Sequence, residues 1–429
     1  MSRIAIIGTG VSGLTAAWHL HRDHELTLYE ANDYIGGHTA TMDVSHEGQH
    51  YAIDTGFIVF NDWTYPNFIS LLEQVGAKWQ FSDMSFSLSC ERSGLEYNGT
   101  SLNSLFAQRR NIIKVSFLCM IRDIFRFNRG CKILLRAPET GITLGAYLHR
   151  EGFTSSFAEY YILPMGRAIW SATASAILNF PAKFFVDFFY QHGFLNITNR
   201  PVWRTIQGGS REYVRRLISP FKERIRLSSP VQTVIRDPGG VRIRSKGEES
   251  SYDYVFFACH SNQALNLLNS PSVAEREILG CFPYQENEAI LHTDTRMLPR
   301  TRLARAAWNY HLLESKQERV ALTYDMSLLQ SLGAGTKFMV TLNRGTDIDQ
   351  AKILGRYVYH HPVYTPVAVT AQIRRTEISG SQRSFYCGAY WRYGFHEDGV
   401  VSALWALQDF ARLTGSVIPD ILHTKPLTR

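Results

Sequence analysis

The stretch RIAIIGTGVSGLTAAWHL, residues 3–20, decides the fold of this chain. Its first five residues are typical of a buried parallel strand, and glycines follow at Gly8, Gly10 and Gly13. Glycines at this spacing allow a tight turn, a close approach of the backbone to a pyrophosphate, and close packing of the next helix on the sheet. We therefore predict a dinucleotide-binding βαβ unit, in which Val11 and Ser12 begin the helix whose positive end binds the phosphates.

A carboxylate follows at the distance that such a unit requires. The second apolar run, ELTLYE, ends at Glu30, 22 residues after Gly8. There a carboxylate, with Ala31 beside it, accepts hydrogen bonds from the hydroxyls of an adenosine ribose and repels a 2′-phosphate. The motif therefore disfavours NADP, but by itself it leaves NAD and FAD both open.

The residues after this carboxylate distinguish the two cofactors. In YEANDYIGGHTAT, residues 29–41, a second glycine pair stands at Gly36 and Gly37, followed by His38 and Thr39. This extension resembles the flavin-containing amine oxidase and phytoene desaturase superfamily, in which the second pair lets the chain pass close to the cofactor. The resemblance implies FAD and a role for all four residues in its binding. Most members have a basic residue after the pair, whereas a histidine is mostly neutral at pH 7.

A second motif lies near the C-terminal end, in RSFYCGAYWRYGFHEDGVVSALWALQDF, residues 383–410. It predicts a strand that ends at Gly388 and a helix from near Asp398 to about Thr414, capped by Gly415. It resembles the closing segment of the flavin amine oxidases, whose last helix points its N terminus at the flavin. Such a helix end would stabilise the negative charge of a reduced flavin. The resemblance implies cofactor contacts at Gly388, Glu397, Asp398 and Gly399, and a backbone contact of Val231 with the adenine.

The order of strand and helix patterns indicates a chain that passes repeatedly between two domains. We predict an α/β fold in which a Rossmann-type FAD-binding domain is interleaved with an α+β substrate domain, as in amine-oxidase-like flavoproteins. The first comprises residues 1–75, 203–285 and 380–429, and the second comprises residues 76–202 and 286–379. Strings such as DTGFIVFN (54–61), GGSREYV (208–214) and GAYWRYGFHEDG (388–399) are typical of one bacterial branch of this superfamily. Over nearly its full length the chain resembles that branch, whose members are described as predicted NAD/FAD-binding amine-oxidase-like oxidoreductases.

Composition excludes several classes of protein. The 429 residues are 45% hydrophobic and 19% charged, which is ordinary for a globular protein. No apolar run reaches the ~18 residues of a membrane-spanning helix. The six cysteines show no metal-ligand spacing, and the adjacent His360 and His361 do not converge on one point, so we predict no metal. Nucleic-acid fold signatures are absent, so we expect no nucleic-acid partner.

Cysteine usage bears on compartment and on cofactor attachment. Without disulfide-like spacing, the cysteines favour the reducing cytoplasm. Some amine oxidases bind flavin covalently through a cysteine. Compared with that family, Cys387 lies inside the last strand and not at the upstream position of the covalent link. We therefore expect non-covalent FAD.

One segment accounts for the positive charge of the chain. The formal net charge is +7, and between Ser104 and Arg136 eight basic residues stand against one acid, Asp123. Apolar residues are interleaved with them, which predicts one or two basic amphipathic helices in residues 104–136. Such helices bind anionic membranes or acidic partners, but they also form ordinary solvated faces, and the sequence leaves both open. The first alternative would place the protein at the inner face of a membrane.

The predicted substrate site departs from the amine oxidases. In that family two tyrosines flank the substrate amine, whereas here His396 takes one position and His361 or Tyr364 falls near the other. The broken pair disfavours amine oxidation and favours dehydrogenation or reduction of an apolar substrate. Genes of the bacterial branch often lie beside cyclopropane-fatty-acid-synthase-like methyltransferases, which implies a fatty-acyl or lipid-borne substrate.

We therefore predict an FAD-dependent oxidoreductase that transfers hydride between flavin N5 and such a substrate. Two other functions stay open: an amine oxidase that produces peroxide, and a flavin-stabilised binding or assembly protein without turnover. Flavin chemistry needs no protein nucleophile, so no catalytic residue is identified. The residues that could orient the substrate are His396, Tyr390, Trp391, His361, Tyr364 and Trp203.

Overall fold

A computed structural model describes residues 1–136, 141–196, 198–314, 319–333 and 335–417 of the protein. Its strands are β1 (Arg3–Ile7), β2 (Glu25–Tyr29), β3 (Thr41–His46), β4 (Gln49–Asp54), β5 (Phe60–Asn61), β6 (Trp79–Phe81), β7 (Phe86–Cys90), β8 (Glu96–Asn98), β9 (Trp203–Ile206), β10 (Ile225–Arg226), β11 (Val231–Asp237), β12 (Gly240–Ser245), β13 (Glu248–Tyr252), β14 (Tyr254–Phe257), β15 (Tyr284–His292), β16 (Trp308–Leu312), β17 (Leu322–Asp325), β18 (Met339–Leu342), β19 (Ile353–Pro362) and β20 (Ser384–Tyr386).

Its α-helices are α1 (Val11–Leu20), α2 (Pro66–Gln74), α3 (Leu102–Leu105), α4 (Val115–Arg136), α5 (Leu144–Arg150), α6 (Ser155–Phe157), α7 (Leu163–Trp170), α8 (Ala174–Asn179), α9 (Ala182–Gln191), α10 (Arg211–Ile218), α11 (Ser261–Leu267), α12 (Val273–Leu279), α13 (Met326–Leu329), α14 (Pro366–Ile373) and α15 (His396–Thr414). Residues 418–429 of the predicted FAD-binding domain lie outside the described residues. The same holds for residues 137–140, 197, 315–318 and 334 of the predicted substrate domain.

A five-stranded parallel sheet contains the N-terminal motif. Its strand order is β10-β2-β1-β14-β20, so β1 pairs with β2 on one side and with β14 on the other. Ile4 and Ile6 face one hydrophobic core, while Ala5 and Ile7 face another, as the two-residue period of a strand covered on both sides requires. The carboxyl end of β1 therefore lies where the strand order reverses, which is where such sheets bind ligands.

Different elements cover the two faces of this sheet. Helices α1, α2, α10 and α15 pack on one face, and the three-stranded sheet β11-β12-β13 packs with α11 and α12 on the other. The predicted C-terminal helix is confirmed: it begins at His396, two residues earlier than expected, and ends at Thr414. Gly415 follows in the left-handed conformation (φ 73°), which relieves the steric cost that a side chain would meet there.

A second, seven-stranded sheet has the order β19-β15-β18-β17-β16-β7-β8. Beside it the helices of residues 102–191 enclose a separate core rich in aromatic side chains. The basic segment forms one long helix, α4, preceded by a short 3₁₀ turn at Arg109–Ile112. None of the helices in the described ranges is long and apolar enough to span a bilayer.

The alternating pattern of residues 48–61 predicts one strand, and the structure divides it into β4 and β5. The interruption follows Asp54, whose buried carboxylate accepts hydrogen bonds from the Ser210 peptide N–H (2.9 Å) and the Thr41 hydroxyl (2.6 Å). Next, Gly56 passes so close to the chain that an added Cβ would lie 2.1 Å from the carbonyl oxygen of His38. These long-range contacts bend the chain. The segment RIRLSSPVQTVIRD with VRIRS, residues 224–245, predicts one hairpin. Residues 231–245 form it as β11 and β12, and β13 extends it, whereas Ile225–Arg226 form β10 and pair with β2 in the parallel sheet.

The attachment of α15 to the parallel sheet gives a stability prediction. Phe410 is fully buried, and its ring centroid lies 5.5 Å from Phe385 and 5.8 Å from Phe256 on the sheet. We expect Phe410→Ala to lower the free energy of unfolding by about 3 to 5 kcal/mol through lost burial and a cavity. Urea unfolding followed by circular dichroism measures the loss. Leu413→Ala, at an exposed position of the same helix, should cost under about 1 kcal/mol, and equal losses would contradict this packing.

Candidate active site

Two glycines of the first motif, Gly8 and Gly13, are tightly packed, and the third, Gly10, faces open space. A Cβ on Gly8 would lie 2.6 Å from the carbonyl oxygen of Ala258, and a Cβ on Gly13 would lie 2.0 Å from that of Gly8. These two glycines therefore let α1 and β14 approach the turn. A Cβ on Gly10 would meet nothing within 4 Å. The space in front of Gly10 and the first turn of α1 fits a pyrophosphate, which the peptide N–H groups of Val11 and Ser12 would bind.

The carboxylate of Glu30 is buried at the carboxyl end of β2 and already has four donors. The peptide N–H (3.0 Å) and hydroxyl (2.5 Å) of Thr9 donate to Oε2, and the peptide N–H (2.9 Å) and side-chain amide (3.1 Å) of Asn32 donate to Oε1. Since a carboxylate offers about four acceptor positions, ribose hydroxyls would have to replace side-chain donors such as the Asn32 amide. Ala31 is exposed beside this carboxylate.

The second glycine pair touches the first motif. Gly10 and Gly36 form an isolated bridge, and a Cβ on Gly37 would lie 3.2 Å from the Cα of Gly10. Gly36 (φ 126°) and Gly37 (φ 58°) both adopt conformations that favour glycine. After the pair, the chain runs beside Phe57, whose peptide N–H donates to the carbonyl oxygen of His38 (2.8 Å). Both glycine motifs thus border the same open space.

His38 belongs to a group of aromatic rings rather than to a basic patch. Its ring centroid lies 5.2 Å from Tyr359, 5.5 Å from His361 and 6.0 Å from His260. Burial lowers the pKa of His38 to about 4 and those of His260 and His361 to about 3, with further lowering by the neighbouring histidines. These imidazoles are therefore neutral at pH 7.

The N terminus of α15 reaches the same point. A Cβ on Gly399 would lie 2.5 Å from Val11 Cγ1, so the first turns of α15 and α1 are in direct contact. His396 also reaches the second glycine segment: its Nε2 is 3.0 Å from the Thr39 hydroxyl oxygen, which is itself 2.7 Å from the Tyr213 hydroxyl oxygen. Burial lowers the pKa of His396 well below its ordinary value.

The carboxylates of Glu397 and Asp398, predicted at the cofactor, are engaged in helix capping. Glu397 accepts from the peptide N–H groups of Asn67 (3.1 Å) and Phe68 (2.8 Å), at the first turn of α2. Asp398 accepts from the peptide N–H groups of Tyr393 (3.2 Å) and Phe395 (2.9 Å), just before its own helix. Each carboxylate lies next to peptide N–H groups that have no partner within a helix, and it accepts hydrogen bonds from them. The two side chains therefore cap helix ends instead of contacting a cofactor. Contacts through their backbones stay a prediction.

Two further predicted contacts lie at the edges of the site. The Gly388 peptide N–H donates to the Ser402 hydroxyl (2.8 Å), which ties the end of β20 to α15. Val231 begins β11, and the preceding loop is joined to the ribose position, since the Ser229 peptide N–H donates to the carbonyl oxygen of Glu30 (2.7 Å). Both residues are near the elements that would hold the cofactor. Their contacts with it stay a prediction.

A cavity of about 160 Å³ opens next to His38 and the start of α15. Three of the predicted substrate residues, His361, Tyr364 and His396, line it. Much of the remaining wall is aromatic, from Phe57, Trp170, Trp308, Tyr324, Tyr359 and Tyr393. Among the described lining residues there is no Asp, Glu, Lys or Arg, so the cavity presents neutral rings and aliphatic groups.

The other three predicted residues lie elsewhere. Tyr390 and Trp391 form a 3₁₀ turn after Gly388 that directs both rings into the core behind the parallel sheet, against Phe282 (centroids 5.1 and 5.6 Å). Trp203 begins β9 and packs at the border of the core under the seven-stranded sheet. None of these three lines the cavity, and a role in orienting a substrate stays a prediction for them. The sequence missed Phe57, stacked on His396 at 3.5 Å, and Tyr359, although DTGFIVFN and VYHHP contain them.

The N termini of α1 and α15 thus meet at an open turn at the switch point of a parallel sheet, beside a neutral cavity. This arrangement defines a dinucleotide-cofactor oxidoreductase of the two-domain kind. The chain belongs to the flavin containing amine oxidoreductase family, whose sequence profile matches residues 11–303. The predicted superfamily, the α/β two-domain fold class and the class of flavin-dependent oxidoreductases are confirmed.

Two curated relatives of the chain are zeta-carotene desaturases. A zeta-carotene desaturase of Synechocystis sp. is 26% identical over 251 residues, which are 52% of this chain and 47% of that protein. The zeta-carotene desaturase of Zea mays is 40% identical over 76 residues, 18% of this chain and 13% of that protein. The chain thus aligns with less than half the length of these curated relatives.

Solved structures cover nearly the whole chain. A fatty acid isomerase from P. acnes that produces CLA has a TM-score of 0.69 at 15% identity, covering 97% of this chain and 99% of its own. Cyclohexylamine oxidase from Brevibacterium oxydans has a TM-score of 0.70 at 14% identity, covering 96% and 99%. At these identities the likeness establishes the fold.

Alanine substitutions at Gly10 and Gly13 should have different effects, the first on cofactor binding and the second on folding. Gly10 has φ −67° and ψ 177°, which alanine adopts without strain, and its Cβ would enter only the open space. We expect Gly10→Ala to keep the melting temperature of the flavin-free wild type but to lose most of the bound flavin, measured as the ratio of visible to 280 nm absorbance. Gly13→Ala should lower the melting temperature because its Cβ overlaps a carbonyl oxygen. Full flavin retention in Gly10→Ala would contradict the placement.

The buried histidines predict a pH effect on stability. The folded pKa of His361, about 3, lies below the ordinary 6.5, so the unfolded chain binds more protons as the pH falls. The stability contributed by the neutral ring is complete above about pH 6.5 and is lost progressively toward pH 3. Glu397, whose burial raises its pKa to about 7, acts in the opposite direction between pH 4.5 and 7.

A comparison of variants isolates the histidine. Relative to His361→Gln, the wild type should lose about 1.4 kcal/mol of unfolding free energy per pH unit below pH 6, measured by urea unfolding at several pH values. The matched control is His149→Gln, at an exposed position of α5. A pH-independent difference between wild type and His361→Gln would show that His361 is not held neutral.

Proposed function

We propose that the protein binds FAD non-covalently and transfers hydride between the flavin and an apolar substrate, a fatty-acyl or other lipid-borne group. The glycines at positions 8, 10, 13, 36 and 37 and the first turn of α1 would hold the dinucleotide, Glu30 its ribose, and the first turn of α15 the flavin end. When bound, the flavin supplies the hydride acceptor or donor at its N5 atom. The reaction is then C–C dehydrogenation or reduction.

The observation that carries this proposal is the neutrality of the cavity. An ammonium group entering it would lose its hydration and meet no carboxylate among the described lining residues, which is costly. An acyl chain would instead exchange water for aromatic and aliphatic walls, which is favourable. A curated relative is a zeta-carotene desaturase, and a protein of the same fold is a fatty acid isomerase. Both names refer to apolar substrates, which supports the proposal.

Two buried polar atoms refine the substrate class. The hydroxyl of Tyr364 and the indole N–H of Trp308 have no hydrogen-bond partner within the described residues, and both side chains line the cavity. An unpaired buried donor is costly, and a carbonyl or carboxylate oxygen of a substrate would satisfy it. We infer that Tyr364 and Trp308 orient the polar end of an otherwise apolar substrate. Because burial lowers the pKa of His38, His361 and His396, these imidazoles are weak bases and would contact the substrate as neutral hydrogen-bonding groups.

The cysteines support non-covalent binding and a reducing compartment. All six are free, and none lines the cavity. Cys387 is buried and its Sγ is 3.6 Å from the carbonyl oxygen of Phe257 within the parallel sheet, while burial raises its thiol pKa above the ordinary range. Such a thiol is not activated for attachment to a cofactor. We therefore propose a cytoplasmic protein with dissociable FAD.

Anaerobic spectroscopy of the purified protein tests the proposal. We expect the yellow flavin to bleach on addition of fatty acids, acyl phospholipids or a cellular lipid extract, with a product mass changed by two hydrogens. Denaturation in acid should release FAD into the supernatant. Peroxide formed from amines, without bleaching by lipids, would favour the amine oxidase alternative. A flavin inert to both would favour a binding or assembly protein.

A cavity variant tests where the substrate binds. Val59 lines the cavity, and Val59→Phe would fill part of its 160 Å³. We expect this change to slow flavin reduction by the lipid substrate at least tenfold, through a raised KM, while the flavin content stays at the wild-type value. Val59→Ala, which enlarges the cavity, is the matched control and should retain the activity. Equal rates in both variants would place the substrate elsewhere.

A further inference from the structure

We propose that the outer face of α4, together with the turn before it, is a docking surface for anionic phospholipid membranes. We name it the α4 face. Its apolar side chains are Ile112, Ile113, Val115, Leu118, Phe125 and Ile133, and its basic side chains are Lys114, Arg129, Lys132 and Arg136, all exposed. This inference goes beyond the proposed reaction and does not depend on it.

The periodicity of α4 separates an inner from an outer side. Phe117, Met120, Phe127, Cys131 and Leu134 are buried at helical spacing and anchor the helix to the protein. An ordinary surface helix then carries polar residues on its other side. Here the outer positions are apolar as well, with Ile113 83%, Val115 73% and Ile133 71% exposed. Of the 22 exposed large apolar side chains among the described residues, seven lie within residues 102–136, so the apolar exposure is concentrated at one place.

The charge of the α4 face is complementary to anionic lipid headgroups. The acid of this segment, Asp123, is buried and already paired with Arg122 (3.1 Å) and Arg126 (2.8 Å). The four basic residues of the α4 face have no carboxylate partner within the described residues. A helix that interleaves such cations with exposed apolar side chains places its apolar groups at the acyl boundary and its cations among the phosphates.

The same interleaving disfavours a second copy of the chain as the occupant. Two α4 faces in contact would bring arginines and lysines against each other, and like charges in an interface cost several kcal/mol. The membrane is thus the partner that satisfies both properties at once. An acidic protein surface would be complementary to the basic side chains of the α4 face but not to its exposed apolar side chains.

The α4 face also adjoins the helices that enclose the cavity. On the inner side of α4, Phe127 packs against Phe157 of α6, with ring centroids 5.4 Å apart. The chain continues from α6 through a helical turn into α7, which ends at the cavity residue Trp170. Phe127, Phe157 and Trp170 belong to one hydrophobic core. A membrane-bound orientation would therefore bring the helical part of the cavity wall close to the bilayer.

Sedimentation with vesicles tests the inference on the flavin-loaded protein. We expect binding to sucrose-loaded vesicles of phosphatidylcholine mixed with phosphatidylglycerol, and at least tenfold weaker binding to vesicles of phosphatidylcholine alone. Because the attraction is partly electrostatic, high salt should weaken the binding to the anionic vesicles. Failure to bind the anionic vesicles at low salt would overturn the proposal.

Matched variants then locate the surface. K114Q/R129Q/K132Q/R136Q should weaken binding to anionic vesicles at least tenfold, whereas R22Q/K222Q/K246Q/R276Q, with the same loss of charge at exposed positions elsewhere, should retain it. F125S/I133S should weaken binding, and V273S/V358S, also exposed and apolar, should not. Equal effects of the paired variants would overturn the proposal, as would a dimer that F125S/I133S converts to a monomer.

Flavin reduction by lipid in detergent micelles separates the two proposals. It should be unchanged in K114Q/R129Q/K132Q/R136Q, since the α4 face does not line the cavity. Vesicle binding without any lipid-dependent flavin reduction would leave the docking surface standing and contradict the proposed reaction. Flavin reduction without vesicle binding would support the proposed reaction and contradict the docking surface.

Discussion

The contact between the N termini of α1 and α15 is the constraint on which the site depends. Gly399 lies against Val11 so closely that an added Cβ would overlap it, and Gly13 lies still closer to Gly8. Because α1 follows β1 and α15 follows β20, this contact joins the two ends of the chain at the carboxyl edge of one sheet. It also sets where the second glycine pair runs, since Gly37 rests on Gly10. Small side chains are thus required where three segments meet.

The sequence predicted those elements whose formation depends on local chemistry. The spacing of Gly8, Gly10 and Gly13, the β11–β12 hairpin and the helix that ends before Gly415 all follow from turn and cap requirements within a few residues. The family resemblance added the meeting of the two chain ends, which no local pattern contains. The chain's membership of the flavin containing amine oxidoreductase family bears out that resemblance.

Side-chain roles were less predictable because distant partners decide them. Glu397 has the acidic character expected near a cofactor, yet its acceptors are used by Asn67 and Phe68, some 330 positions away in sequence. Tyr390 and Trp391 stand in the right motif, but the turn after Gly388 directs them into the core. The cavity wall is drawn from several separate segments, so only residues within recognised motifs could be named beforehand. For α4, the sequence showed the mixture of charged and apolar residues, but only the fold shows which of them remain exposed.

Electrostatics connects these features. The N terminus of a helix carries about half a positive charge, and three such ends, those of α1, α2 and α15, lie close together. Glu397 and Asp398 lie among them, and Arg392 lies 3.5 Å from Asp398. Burial raises the pKa of both carboxyls, to about 7 for Glu397, so the negative charge of Glu397 offsets the helix ends only partly. The helix ends and the guanidinium of Arg392 therefore favour a bound anion in this region. Peptide N–H groups at the start of α1 can stabilise such an anion, and the neutral His38 can stand where the family resemblance implies a basic residue.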